Sequence, residues 1–276
     1  MKKNIAVVIS VLLISLLSLS LAQSTSKNFV AATIGNAVFC PNNVVPGLDT
    51  EYEITLSSAT CFAIANLLNN RNNVICYWML NATLYDYLGV LDILDTNYNP
   101  EIVFSKGHNV PWNDGTYYRL IEHNGDPNYV RDSDIFDYTS DRFAFVFLWH
   151  CGTAESYPPG QSGGTYLEQG HGYCWTHNPN MYLYTNGGSQ VFLGWNWTSP
   201  QFETDIYYGS IYNYAQVAYY FWAQMCDGYT VDETLTFLAT ELFETWDFED
   251  TALYSRYVNG NYSQLQVWGN MAMYLP

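Results

Sequence analysis

The sequence predicts a three-layer α/β protein in which helices cover both faces of a mostly parallel β-sheet. Short, nearly continuous apolar segments alternate with segments of helical periodicity from residue 29 onward. Strands that are apolar on both sides are typical of a parallel sheet buried between helices. Two long polar stretches each follow a predicted strand, and loops in that position carry the ligand and catalytic groups of open α/β sheets.

The first half of the chain alternates strands with helices. Strands are predicted at 29–40, 74–80 and 101–105, and helices at 57–68 and 84–94. Apolar residues recur in the two helical segments at the spacing of one helix face. The first strand ends at a Pro-Asn-Asn cluster, which is a turn signal.

The second half contains the most apolar strand of the chain, at 143–149. The stretches on either side of it, 106–141 and 152–190, are rich in Asn, Asp, Gly and Tyr and are predicted to be irregular. The remaining elements follow in the order strand, helix, helix and strand, at residues 191–195, 211–225, 230–242 and 265–275.

The N-terminus has the pattern of an export signal. Two lysines precede an uncharged run of Val, Leu, Ile and Ser, with small residues at positions 20 and 22. We therefore expect cleavage of a signal peptide, residues 1–22, leaving 23–276 as a single domain that is secreted or held at the cell surface. No second apolar run of that length follows, so the mature chain is predicted to contain no membrane span.

The chain is acidic, with 26 Asp and Glu against 9 Lys and Arg and a formal net charge of -17. Such a surface repels nucleic-acid phosphates and anionic lipid, so binding to nucleic acid or to a membrane surface is disfavoured. Three Asn-x-Ser/Thr sequons, at Asn81, Asn196 and Asn261, fit an exported glycoprotein.

The chain contains an even number of cysteines, which in an exported protein allows up to three disulfides. They are Cys40, Cys61, Cys76, Cys151, Cys174 and Cys226. If Cys151 is a free nucleophile, at least one other cysteine must also be unpaired.

Two side chains with catalytic potential follow separate core strands. His108 comes after the strand at 101–105, and Cys151 comes after the strand at 143–149. Because the carboxyl ends of neighbouring parallel strands meet at one edge, a thiol and its general base can approach each other there. His150 is not expected to be that base, since adjacent residues of a strand point to opposite faces.

The order of these motifs resembles the caspase-like cysteine peptidases. The resemblance rests on a strand followed by Gly107-His108, an apolar strand followed by Cys151, the strand Val191-Phe-Leu-Gly194-Trp195 with a long helix after it, and a helix opened by Gly228-Tyr-Thr-Val-Asp-Glu-Thr-Leu. It extends over most of the mature chain.

Within that fold, the chain is similar to the gingipain and CHAT-type branches and to secreted archaeal relatives. The ending Val267-Trp-Gly-Asn-Met-Ala-Met-Tyr-Leu is similar to the final strand of gingipain-type domains. The CHAT-type branch also includes members that serve as scaffolds.

The resemblance implies cysteine endopeptidase chemistry with His108 and Cys151 as the catalytic pair. The Cys151 thiolate would attack the scissile carbonyl, His108 would protonate the leaving amine, and water would hydrolyse the thioester. Backbone N–H groups near Gly107, Asn109, Cys151 and Gly152 would be the oxyanion donors. Family members usually carry Gly after the catalytic His, where this chain has Asn109, so an inactive scaffold is the alternative.

The expected substrate is a polypeptide, with no cofactor and no metal. Glu155, Glu203 and Asp205 in loops beside the predicted site could pair with Arg or Lys of a substrate, and Trp195 is predicted to line the same pocket.

Other interpretations of these residues remain open. Cys151 could instead form a disulfide with Cys174. The run His171-x-x-Cys174-x-x-His177, together with His150 or Cys151, could bind Zn²⁺, although its spacing is not an established zinc pattern. Ser162 lies in a nucleophile-like Gly-Gln-Ser-Gly-Gly string, but no apolar strand leads into it, so it is predicted to be a loop residue.

The abundance of aromatic residues suggests a second class of function. With 9 Trp and 25 Tyr, including Trp195 and Trp197, the chain could present an extracellular face that binds carbohydrate or protein. The state of the Cys151 thiol separates this binding module from the peptidase, because only the peptidase needs it free and reactive.

Overall fold

The computed structural model describes residues 32–41, 49–111, 118–121, 129–154, 170–258 and 260–275. The predicted signal peptide and the Gly-Gln-Ser-Gly-Gly string around Ser162 lie outside these ranges. Within them, no helix is both long enough and apolar enough to cross a bilayer.

Eleven strands occur in the described part of the chain. They are β1 (Ile34–Cys40), β2 (Val74–Leu80), β3 (Glu101–Lys106), β4 (Asn109–Pro111), β5 (Tyr118–Ile121), β6 (Tyr129–Arg131), β7 (Phe143–Trp149), β8 (Val191–Trp195), β9 (Arg256–Val258), β10 (Asn261–Ser263) and β11 (Leu265–Gly269).

The same ranges contain six α-helices. They are α1 (Glu51–Asn69), α2 (Leu84–Asn97), α3 (Asp132–Asp137), α4 (Gly170–Thr176), α5 (Tyr214–Cys226) and α6 (Val231–Glu241).

The central sheet has six strands in the order β2-β1-β3-β7-β8-β11. The first five run parallel to one another, and β11 is antiparallel to β8. The chain moves from β1 outward to β2 and then returns to the other side of β1 for β3. The strand order therefore reverses between β1 and β3, and ligands of open α/β sheets bind in the crevice at such a reversal, outside the carboxyl ends of the strands.

Helices cover both faces of the sheet, which confirms the predicted three-layer α/β fold. On one face, residues of α1, α5 and α6 pack with alternate strand residues such as Phe104 and Phe147. On the other face, residues of α2, α3 and α4 pack with Val103 and Leu148. Each fully buried Phe or Leu side chain contributes about 1.5–3 kcal/mol, so the parallel strands are held from both sides.

Several helices begin where Thr supplies the N-terminal cap. The Thr50 hydroxyl accepts the Glu53 N–H at the start of α1, at 3.0 Å. Thr83 forms a reciprocal capping box with Asp86 at the start of α2. Helix α1 therefore begins at Glu51 and not at the predicted residue 57, because its first turn is capped and polar and lacks the apolar spacing on which the prediction was based.

The stretches predicted to be irregular contain short regular elements. Strands β4, β5 and β6 form a separate antiparallel sheet within 106–141, and α4 lies within 152–190. Strands of three or four residues are too short to show alternation in the sequence. The closing strand ends at Gly269, earlier than predicted, because φ is 97° there and a Cβ would lie 2.3 Å from the Gln190 carbonyl oxygen.

Candidate functional site

His108 and Cys151 occupy equivalent positions on neighbouring strands. Strands β3 and β7 pair in parallel, and the last register pair is Lys106 with Trp149. His108 and Cys151 each stand two residues beyond that pair. Because adjacent strands run about 4.8 Å apart, both residues lie at the carboxyl edge of the sheet, beside the reversal between β1 and β3.

Three hydrogen bonds hold the two segments together beyond the strands. The Asn109 side-chain amide donates to the Cys151 carbonyl at 2.7 Å, and the Gly107 N–H donates to the Trp149 carbonyl at 3.3 Å. The third joins the His150 ring to the His108 carbonyl at 2.9 Å. The backbone that carries the base is therefore fixed relative to the backbone that carries the thiol.

The His108 side chain is oriented by Asp49, which lies in the segment between β1 and α1. His108 Nε2 and Asp49 Oδ2 are 2.5 Å apart. Since a carboxylate only accepts, Nε2 carries the proton, and Nδ1 of a neutral His108 has a free lone pair. Among the described residues, no hydrogen-bond partner contacts Nδ1. The ring is thus arranged to accept a proton on the side away from Asp49.

Asp49 is ionised at neutral pH. Its burial opposes ionisation, but the hydrogen bond from His108 and the charges of His108 and Lys106 together outweigh the burial and lower the pKa of Asp49 below 3.8. Its other oxygen accepts the Gln201 side-chain amide at 3.3 Å. The carboxylate can therefore stabilise a positively charged His108.

Asp49 is a site residue that the sequence does not predict. It precedes the cap of α1, where Asp is common for reasons of helix stability alone, and it is 59 positions from His108. Nothing in a single sequence signals that pairing.

Cys151 lies in the turn that follows β7 and is partly exposed. Its Sγ lies 3.5 Å from Ser199 Oγ, within hydrogen-bond range. The next residue, Gly152, has φ of 66°, a left-handed conformation that turns the chain back toward Trp197. The thiol is thus presented where two chain segments meet above the sheet.

All six cysteines lie within the described ranges, and none of them forms a disulfide there. The alternative disulfide between Cys151 and Cys174 is not formed, and Cys174 lies on α4 with its side chain buried in the core. Cys40 and Cys61 are in contact, and the Cys61 thiol forms a hydrogen bond with that of Cys40.

Two of the predicted oxyanion donors are already engaged. The Gly152 N–H donates to the Trp197 carbonyl at 2.7 Å, and the Gly107 N–H donates to the Trp149 carbonyl. Both bonds close turns at the ends of strands. The Cys151 N–H has no main-chain acceptor within the described ranges, so it is a group that the structure leaves to bind an oxyanion.

The predicted pocket residues lie at different depths. Glu203 accepts the Thr50 hydroxyl at 2.7 Å, so it lies next to the Asp49 segment. Asp205 is exposed and bridges to Asn213 at the start of α5. Trp195 is fully buried and packs edge-to-face on Trp149, with ring centroids 5.3 Å apart, so it lies in the core and does not line an open pocket. Glu155 lies outside the described residues.

A buried ion pair lies beside the dyad. Lys106 Nζ is 3.0 Å from Glu53 Oε1. Burial disfavours the Lys106 charge, but the charge of Glu53 and the hydrogen bond to it outweigh burial and raise the pKa of Lys106. The pair contributes to a small pocket at the reversal point, lined by Cys40, Asp49, Glu53, Ile54, Ser57, Lys106, Gly107 and His108.

The His-x-x-Cys-x-x-His run lies on and just after α4. His177 stacks on Phe136 with centroids 4.1 Å apart, and its Nε2 lies 3.1 Å from Thr139 Oγ1. In the part of the chain that the structure describes, no group of three or more His, Cys, Asp or Glu side chains is placed to hold a metal ion.

No protein-family model matches the chain, and comparison with the curated proteins finds no match.

Proposed function

We propose that this protein is a cysteine endopeptidase of the caspase-like type, with His108 and Cys151 as its catalytic dyad. The observation that carries the proposal is the equivalent position of the two residues beyond the paired strands β3 and β7. A thiol and an imidazole at one sheet edge, with a carboxylate behind the imidazole, form the arrangement that nucleophilic catalysis requires.

Each group has a defined role in the proposed reaction. His108 Nε2–H donates to Asp49, and Nδ1 takes the proton of the Cys151 thiol. The thiolate attacks the scissile carbonyl, and the Cys151 N–H donates to the developing oxyanion. His108 then returns its proton to the leaving amine, and water hydrolyses the thioester to release the acid and regenerate the thiol.

The topology supports the same site. The dyad lies next to the reversal between β1 and β3, where open α/β sheets bind ligands. The motifs that resemble caspase-like peptidases fall on β3, β7, β8, β11, α5 and α6, so the resemblance covers four of the six strands of the sheet and two of its covering helices.

The proposal includes export and a basic substrate residue. Export would place the chain at the cell surface or outside the cell, with Asn81 and Asn261 on the surface as glycan acceptors. Glu203 lies next to the Asp49 segment, and Asp205 follows two residues later in the same loop, so their carboxylates favour peptides with Arg or Lys at the cleavage site. Cleavage after Asp in a peptide library, in place of Arg or Lys, would contradict this preference.

The test is the reactivity of Cys151 in the non-reduced protein. Iodoacetamide labelling is followed by mass spectrometry across a range of pH, in the wild-type chain and in His108→Ala. The dyad predicts fast labelling at neutral pH that slows in His108→Ala, because an imidazole that takes the thiol proton supplies the thiolate that reacts with iodoacetamide. His177→Ala removes an imidazole at α4 and is the matched control.

Two results would overturn the peptidase proposal. One is a Cys151 that labels at the same rate with and without His108. The other is a Cys151 found in a disulfide. Either result would favour the extracellular binding scaffold. If Cys151 labels as expected, the protein would next be screened for cleavage of peptides after Arg or Lys.

A further inference from the structure

We propose that His150 is a positioning residue of this site and acts by holding the main chain of His108. Its importance for catalysis rests on the proposed function. The hydrogen-bond arrangement that it forms can be tested without any activity.

His150 is the centre of a buried chain of hydrogen bonds. Its Nδ1 lies 2.9 Å from the His108 carbonyl oxygen, and its Nε2 lies 2.8 Å from Ser105 Oγ. Ser105 Oγ in turn lies 2.5 Å from the Tyr87 hydroxyl on α2. His150, Ser105 and Tyr87 are all fully buried. The chain therefore runs from a helix on one face, through β3, to the backbone of the candidate base.

The donor and acceptor of every hydrogen bond in this series follow from the group at its end, the His108 carbonyl. The His108 carbonyl can only accept, so His150 Nδ1 must carry a proton. A neutral ring then has no proton on Nε2, which must accept from the Ser105 hydroxyl. Ser105 has used its only proton, so its oxygen accepts from Tyr87. One arrangement satisfies all four groups.

The neutral state of His150 follows from its surroundings. Burial lowers the pKa of His150 well below 6.5, although the bond to the His108 carbonyl opposes this effect. The positive charge of Lys106 lowers it further. The ring is thus a fixed donor and acceptor, and the thiol proton must pass to His108.

Gly107 makes room for the His150 ring. A Cβ at this position would lie 2.8 Å from His150 Cε1 and 2.7 Å from Pro41 Cγ. The absence of a side chain at Gly107 lets the ring approach the backbone that it holds. The sequence Gly107-His108 therefore serves the contact with His150 as well as the placement of the base.

His108 is consequently held at two points. Asp49 holds the ring, and His150 holds the main chain. Because His150 immediately precedes Cys151, the backbone of the nucleophile directly positions the backbone of its base. A shift at the end of β7 would move both partners together.

The hydrogen-bond chain is tested first by nitrogen-15 NMR of the histidine rings in the wild-type protein. The chain has 5 His, and the loss of one set of signals in His150→Asn assigns His150. We expect His150 to be neutral, with its proton on Nδ1, throughout the pH range in which the protein is folded. A proton on Nε2, or a ring that titrates near pH 6.5, would overturn the inference.

The positioning role is tested by a matched pair of variants. His150→Asn keeps a donor near the place of Nδ1, whereas His150→Gln keeps a group near Nε2 and loses the contact with His108. Both remove the ring. We expect Cys151 alkylation to stay within about threefold of wild type in the Asn variant and to fall about 10- to 100-fold in the Gln variant, with its pH profile moved toward that of an ordinary thiol.

The outcomes separate this inference from the proposed function. Equal alkylation in wild type and both variants, or an equal loss in both, would exclude a role through the His108 carbonyl. If His108→Ala does not change Cys151 alkylation, the dyad proposal fails. The nitrogen-15 signals of the His108 ring then become the readout for the role of His150. They should change in His150→Gln and stay in place in His150→Asn. If neither variant folds, the ring signals of His150 are assigned through their couplings to its own backbone, and the tautomer in the wild-type protein decides.

Discussion

At the residue scale, the main finding is that Asp49 completes the candidate site. Asp49→Asn keeps a hydrogen-bond acceptor for His108 Nε2 but removes the negative charge. We expect Cys151 alkylation to fall about 10- to 100-fold, because His108 then loses the charge that stabilises its protonated form, and losing the carboxylate behind a metal-bound histidine costs a similar factor. Alkylation kinetics measure the loss, and Asp92→Asn, at an exposed carboxylate on α2, is the control. Unchanged kinetics in Asp49→Asn would remove Asp49 from the mechanism.

Asp49 also carries a prediction for stability. Its pKa in the folded protein is lowered below 3.8, so its stabilising contribution is present above that pH and is lost as the pH falls through the folded value. The difference in unfolding free energy between wild type and Asp49→Asn should therefore shrink below about pH 4. Denaturant unfolding at several pH values measures it. A difference that grows on acidification would contradict the assigned ionisation.

Glu101, at the start of β3, should make stability depend on pH in the direction opposite to Asp49. Its carboxyl is fully buried, and neither oxygen has a hydrogen-bond partner among the described residues. Burial, with the charge of Asp95, raises the pKa of Glu101 to about 8. The folded protein then binds this proton more tightly than the unfolded chain between pH 4.5 and about 8, so stability falls as the pH rises through that range.

The variant Glu101→Gln should remove this slope. As the pH rises from 4.5 to about 8, we expect the unfolding free energy of Glu101→Gln to increase relative to that of wild type, by up to about 1.4 kcal/mol per pH unit. Thermal melts at pH 5, 6.5 and 8 measure the effect, with the exposed Glu241→Gln as the control. Parallel curves for wild type and Glu101→Gln would show that Glu101 ionises normally.

At the element scale, the start of α1 connects helix stability to the site. The Thr50 hydroxyl caps α1 and also donates to Glu203, and Thr50 directly follows Asp49. Thr50→Ala should cost about 1 kcal/mol of stability and slow Cys151 alkylation as well. Thr230→Ala at the capping box of α6 should cost a similar amount and leave alkylation unchanged. Thr50→Ser should restore both the stability and the alkylation rate. Equal alkylation in Thr50→Ala and Thr230→Ala would show that the cap of α1 does not affect the site.

Elements with a long apolar pattern were predicted well. Strands β2, β7 and β8 begin and end where the sequence places them, because each is a continuous apolar run between turn residues. Strands β4 to β6 were missed because segments of three or four residues carry no measurable period. Helix α1 was predicted to start late because its first turn is capped and polar.

At the scale of the whole molecule, the net charge of -17 sets the response to salt. Self-repulsion of a strongly acidic surface opposes the compact state, and salt screens it. The buried pair of Lys106 and Glu53 is screened much less. We expect the melting temperature to rise with NaCl, by about 2–4 °C for each kcal/mol of repulsion removed. A glucose series of matched osmolality is the control, and a fall with NaCl would contradict the prediction.

The sequence by itself determined the layer architecture and the two residues of the candidate dyad. Apolar runs that alternate with helical periods specify a buried parallel sheet, and a parallel sheet brings its strand ends to one edge. His108 and Cys151 could be placed there because they directly follow such strands.

Only the tertiary structure decided what surrounds those two residues. The contacts of His108 with Asp49, and of His150 with His108 and Ser105, join positions that are distant in sequence, and no local pattern encodes them. The burial of Trp195 and the engagement of the Gly152 N–H likewise depend on neighbouring segments. The period of apolar residues in the sequence shows which side of each helix or strand faces the core. Hydrogen bonds between loops depend instead on which loops the folded helices and strands place next to each other.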